Sequence, residues 1–123
     1  MTHPCIAIIE DEPLHALLLE YNLKRLGYQI KQYDSGRAFL EEGSQEFQLI
    51  IINVQLDEVN GLQICEDIRR KGVSIPILFL STSIEADICA CIENIDFLKK
   101  PFKVKDLINK VNRMINNSTG QDI

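Results

Sequence analysis

Leu49-Ile50-Ile51-Ile52-Asn53 (LIIIN) is a run of four aliphatic residues that stops on a polar one. It has no polar alternation, so neither face of the segment is meant for water. A strand of that kind sits at the centre of a parallel sheet with helices on both sides. Upstream, residues 5–9 (CIAII) are short, apolar and β-branched, and read as a second buried strand. Residues 28–33 (YQIKQY) alternate and carry polar groups, which suits an edge strand. Downstream, residues 75–80 (IPILFL) and 95–98 (IDFL) complete a set of five.

Segments of helical period lie between these strands. Residues 14–26 form a helix with Leu14, Leu17, Leu18, Tyr21 and Leu26 on one apolar face, and Gly27 as its stop. Asp34 or Ser35 caps a short helix to about Glu42. Gly61 precedes a helix to about Lys71, and Ser83 caps one over 85–93. Residues 103–116 close the chain, with Val104, Leu107, Ile108, Val111 and Ile115 spaced for one buried face. Strands alternating with helices predict an α/β fold, a five-stranded parallel sheet wound on both faces by right-handed crossovers. One domain over 1–116 and a polar tail or linker stub over 117–123 are expected.

The bulk numbers narrow the function. The chain has 123 residues, 46% hydrophobic, with a net charge of −5. Residues 1–62 hold ten acidic and four basic side chains, which argues against a nucleic-acid surface. No apolar run approaches the ~20 residues needed to cross a bilayer. Cys5, Cys65, Cys89 and Cys91 lie in or beside apolar runs without zinc spacing, and read as reduced thiols of a cytoplasmic protein.

In a doubly wound sheet ligands bind at the carboxyl ends of the strands. There the sequence puts Glu10-Asp11-Glu12 after the first strand and Asn53 at the third. Ser81-Thr82 follow the fourth, and Lys99-Lys100-Pro101 the fifth. Hard oxygen ligands beside a lysine suit a divalent magnesium ion and a phosphate-like group. Taken singly, each has a plainer reading: a solvated acidic loop, a capping hydroxyl, a Lys-Pro turn.

Over about residues 4–116 the chain resembles the receiver domains of bacterial two-component response regulators. The resemblance rests on Ile8-Ile9-Glu10-Asp11-Glu12-Pro13, Leu49 to Asn53, Gly61, Ile77-Leu78-Phe79-Leu80-Ser81 and Lys100-Pro101-Phe102. It implies a flavodoxin-like sandwich with strand order 2-1-3-4-5. It also implies that Glu10, Asp11, residue 53 and the backbone carbonyl of Gln55 hold magnesium. By the same resemblance residue 53 accepts the phosphoryl group, Ser81 hydrogen-bonds it and Lys100 pairs with it, aimed by a cis Lys100–Pro101 bond. Phe97 matches the aromatic that follows the signalling state. The output and dimerisation face of the family (fourth helix, fifth strand, fifth helix) would here include Ile84, Asp87, Ile88, Phe97, Lys99 and Lys103. Implied partners are a sensor histidine kinase or phosphotransfer protein, a second copy through that face, and a downstream DNA-binding effector domain. Asp57, Glu93 and Asn94 depart from the pattern, and Asn53 departs most.

The family carries an aspartate where this chain has Asn53. A carboxylate attacks phosphorus to form an acyl phosphate; a neutral amide oxygen is a far poorer nucleophile. Phosphotransfer at residue 53 is therefore expected to be absent, and magnesium binding weak with one charge lost. An amide also relieves carboxylate crowding, accepts a hydrogen bond from Lys100 and donates one to Glu10 or Asp11. Two origins fit: an Asp→Asn change in an ordinary phospho-accepting switch, or a natural pseudo-receiver serving as a phosphate-independent interaction module. A nucleotide- or flavin-binding protein would want a glycine-rich loop after the first strand, where Glu-Asp-Glu-Pro stands instead. A magnesium-dependent phosphatase would want an aspartate at 53.

Overall fold

The aliphatic run at 49–52 becomes the middle strand of the sheet. The computed structural model describes residues 4–42, 46–53, 58–82 and 93–118, with the backbone alone at 58–60 and 117–118. In chain order the elements are β1 (Cys5–Ile9), α1 (Pro13–Lys24), β2 (Gln29–Tyr33), α2 (Gly36–Glu41), β3 (Leu49–Ile52), α3 (Glu58–Arg70), β4 (Ile77–Ser81), β5 (Ile95–Lys99) and α4 (Val104–Ser118). The strands form one sheet in the order β2-β1-β3-β4-β5, and every pair is parallel. Fold class and strand order are those expected.

Successive side chains on a strand point to opposite faces, and two cores follow. Ile6, Ile8, Leu49, Ile51, Leu78 and Leu80 pack with Leu19 and Leu23 of α1 and with Leu107, Val111 and Ile115 of α4. Ala7, Ile9, Ile50, Ile52, Ile77 and Phe79 face the other way, onto Phe39 of α2 and Leu62, Cys65 and Ile68 of α3. β1, β3 and β4 thus fill both layers, which explains their unbroken apolar sequences. β2 lies at an edge and is mostly exposed.

The structure corrects several expectations. In α1 the face that packs is Ala16, Leu19 and Leu23, whereas Leu14, Leu17, Leu18, Tyr21 and Leu26 are exposed. The helix carries two apolar stripes, and periodicity alone selects the wrong one. Gly61 lies inside the first turn of α3, which starts at Glu58. β4 begins at Ile77, because Pro76 has no N–H for the ladder; its carbonyl instead accepts the Ile50 N–H at 2.9 Å. β5 runs one residue further, to Lys99, and α4 two further, to Ser118. Cys65 is buried and Cys5 partly buried, neither of them in a disulfide. The helix expected over 85–93 lies outside the described residues but for Glu93, which is in a turn. Cys89 and Cys91 also lie outside them.

At the opposite end of the sheet from the strand termini, Arg69 makes an unforeseen clasp. Its guanidinium donates to the carbonyls of Val73 at 2.9 Å, Glu93 at 3.0 Å and Asn94 at 3.1 Å. Asn94 adopts φ 57° and donates its side-chain amide to the Ser74 carbonyl at 3.1 Å. Asparagine is among the few residues that take this left-handed conformation readily. Together the two side chains tie the turn before β5 to the end of α3.

Candidate functional site at the carboxyl ends of the strands

The β1–β3 ladder sets the site. Ile9 pairs with Ile52, and the next rung is the Asn53 N–H donating to the Ile9 carbonyl at 2.8 Å. On the other side the Glu10 N–H donates to the Tyr33 carbonyl at 2.9 Å. Glu10 and Asn53 are thereby held side by side at the sheet's end, 3% and 5% exposed. The Asn53 side-chain amide donates to Glu10 Oε1. Of the two polar contacts expected for Asn53, the one to Glu10 forms. The one from Lys100 does not: Asn53 Oδ1 is buried without a partner among the described residues.

The acidic run divides into three roles. Glu10 turns inward. Asp11 is exposed and shares a hydrogen bond with Glu10. Glu12 caps α1: its side chain accepts the Leu14 N–H at 2.8 Å, and its own N–H donates to Glu10 Oε2 at 2.9 Å. Pro13 then takes the first helical position, where a missing N–H costs nothing. Glu12 is the site residue that the sequence reading left without a role. The signal was there, since an acid followed by Pro opens a helix well.

Both oxygens of Glu10 are thus occupied by protein donors. Burial still dominates, and pushes its carboxyl up to about 7; the Glu12 N–H and Lys100 pull down, and Asp11 pushes up. Burial likewise lowers the Lys100 ammonium, with Glu10 and Asp11 pulling it back up. Lys100 therefore shares the field of the two carboxylates. Its N–H donates to the Ser81 carbonyl at 2.7 Å, and Ser81, the last residue of β4, is 8% exposed. The Lys100–Pro101 peptide is cis. Glu10, Asp11, Asn53, Ser81 and Lys100 all stand at one end of the sheet, on strands that neighbour one another. A shallow groove of about 400 Å³ continues from Glu10 and Asp11 towards Asp34 on the β2 side.

Phe97 is half-buried on β5, pairs with Phe79 and packs on the α2–α3 core. Lys99 and Lys103 are exposed. Gln55, Ile84, Asp87 and Ile88 lie outside the described residues. No group of three or more His, Cys, Asp or Glu side chains is placed for a metal among the described residues. The site has two carboxylates and an amide.

A parallel sheet in this strand order, with polar groups gathered at its carboxyl ends, defines a class, the receiver-type fold. The chain belongs to the response regulator receiver domain family, which it matches over residues 6–112. It is 29% identical over 117 residues to the alkaline phosphatase synthesis transcriptional regulatory protein PhoP of Bacillus subtilis, covering 92% of this chain and 49% of that protein. It is 32% identical over 121 residues to a probable transcriptional regulatory protein of Picosynechococcus, covering 89% and 48%. The chain spans about half the length of the curated relatives it matches. Among solved structures, the chemotaxis protein CheY4 of Vibrio cholerae superposes with a TM-score of 0.80 at 20% identity, covering 92% of this chain and 99% of that one. The receiver domain of the sensor histidine kinase PA1611 of Pseudomonas aeruginosa, with magnesium in its active-site cleft, gives 0.75 at 25% identity, covering 94% and 99%. No helix among the described residues is long and apolar enough to cross a membrane.

Proposed function

We propose that this chain is a cytoplasmic receiver of a two-component phosphorelay in which Asn53 fills the phosphoryl-accepting seat, so that phosphotransfer is disabled. The observation that carries the reading is the placement of Asn53. It directly follows the central strand, is buried, and lies against Glu10, with Ser81 ending β4 and Lys100 directly after β5. A phosphoryl group brought there would meet the Ser81 hydroxyl and the Lys100 ammonium as donors. It would find no carboxylate oxygen on residue 53 to attack it. The domain is then a switch rather than an enzyme.

The donor set fits a magnesium ion. Glu10, Asp11, the unpartnered Asn53 Oδ1 and the Gln55 carbonyl would hold it; all are hard oxygens. When bound, the ion would screen charge on a phosphoryl oxygen. Two carboxylates instead of three make it weak. Partners on this reading are a sensor histidine kinase or phosphotransfer protein, and a downstream DNA-binding effector domain; relatives named as transcriptional regulatory proteins support the latter.

A second reading is a phosphate-independent interaction module. It is favoured by Glu10, whose two oxygens are already satisfied by Asn53 and Glu12 without any ligand. Intact mass after incubation with acetyl phosphate and magnesium tests both. The first reading expects one phosphoryl adduct on the Asn53→Asp variant and none on the parent. An adduct on neither supports the second, and an adduct on the parent overturns the assignment of residue 53.

A further inference from the structure

Three side chains at the strand termini have a chemistry among themselves that needs no phosphate. The Asn53 amide nitrogen donates to the Glu10 carboxylate, and both residues are buried. Lys100 is half-buried and lies in the field of the Glu10 and Asp11 carboxylates. Its backbone is pinned to β4, the strand next to β3, by the Lys100 N–H to Ser81 carbonyl bond. An amine, an amide, and a carboxylate touching the nitrogen that would leave are the components of an acyl transfer. Burial favours the amine, because the water that would compete with it is excluded.

We propose that Lys100 and Asn53 join covalently, the Lys100 Nζ displacing ammonia from the Asn53 side chain to leave an isopeptide bond. The lysine turns towards Asn53, which its flexible stem allows. Its ammonium passes a proton to Glu10, and the freed amine attacks Asn53 Cγ. The Nζ–Cγ bond forms and the Cγ–Nδ2 bond breaks. Of the three protons on the ammonium one stays on Nζ and two reach Nδ2 by way of Glu10. The nitrogen leaves as ammonium, and Glu10 ends as it began. No oxidant, reductant or co-reactant is needed. No donor among the described residues holds Asn53 Oδ1 against the charge that develops there, so the step takes days rather than seconds. The bond closes residues 53–100 into a loop, removes the lysine and the amide from the pocket, and raises the thermal midpoint by constraining the unfolded chain.

Intact mass and peptide mapping of the 123-residue chain read this directly. Held for days at neutral pH and physiological temperature without divalent metal, the chain should come to weigh about 17 Da less than its sequence, the mass of ammonia. Trypsin should then release residues 38–69 joined to residues 100–103. Lys100→Arg keeps the charge but offers no nucleophile, and should keep its full mass. Glu10→Gln cannot carry the protons, and should slow the loss on the order of a hundredfold while circular dichroism shows it folded. A parent whose mass never falls overturns the proposal. So does a loss without the joined peptide, as a succinimide at Asn60-Gly61 would give, and so does joining that runs as fast in Glu10→Gln.

Discussion

The side-chain amide of Asn53 donates to Glu10 Oε1 at the buried end of the sheet, and this bond joins the central strand to the acidic loop after β1. Removing it leaves a buried carboxylate one donor short. Asn53→Ala should therefore cost about 1–3 kcal/mol of stability. Urea denaturation measures this; a midpoint equal to the parent's would show that the bond contributes nothing.

Glu10 makes stability depend on pH. Its carboxyl is raised from an ordinary 4.5 to about 7 in the folded chain. Between those values the native state binds more protons at this group than the unfolded chain does. The sign follows from linkage: the contribution of Glu10 is most favourable below 4.5, and is lost as pH rises through about 7. Unfolding measured from pH 4.5 to 7.5 without divalent metal should show this loss, and Glu10→Gln should flatten it. A slope unchanged in Glu10→Gln assigns it to other groups.

Arg69 concentrates three charge-assisted bonds on one side chain. Arg69→Ala should destabilise by about 2–3 kcal/mol, because the Val73 and Glu93 carbonyls lose their side-chain donor and the Asn94 carbonyl keeps only the Ile77 N–H. Arg69→Lys should recover only part, since an ammonium lacks the planar fork. Equal midpoints for the lysine variant and the parent would reduce the clasp to a single bond.

Gly36 is buried at the start of α2, and a Cβ there would lie 2.5 Å from Ile64 Cγ2 on α3. Gly36→Ala should cost about 1–3 kcal/mol by overpacking, despite its better helix propensity. In the Ile64→Ala background the penalty should shrink or reverse. Additive costs in that double-mutant cycle would rule out the contact as the cause.

These residues also show what the sequence makes legible. Runs apolar on both faces, such as 49–52 and 77–80, can only be inner strands, so the sheet and its functional end follow from them. The site residues follow because topology forces the residue after each strand to that end. The packed face of α1 is not legible because leucines occupy both of its sides, and only the packed sheet tells Leu19 and Leu23 from Leu14 and Leu18. The Arg69 clasp was invisible because its partners are backbone carbonyls, which have no sequence signature. The empty Asn53 Oδ1 likewise depends on where Lys100 comes to rest.

An uncharged side chain at residue 53 lets the carboxylate pocket stand without metal, and this is the central claim. Thermal midpoints of the parent and of Asn53→Asp, each with and without millimolar magnesium, test it most directly. The parent should shift by less than about 1 °C, while the variant, with three crowded carboxylates, should gain about 3–8 °C from the ion. Equal gains in the two proteins, or none in the variant, would contradict it.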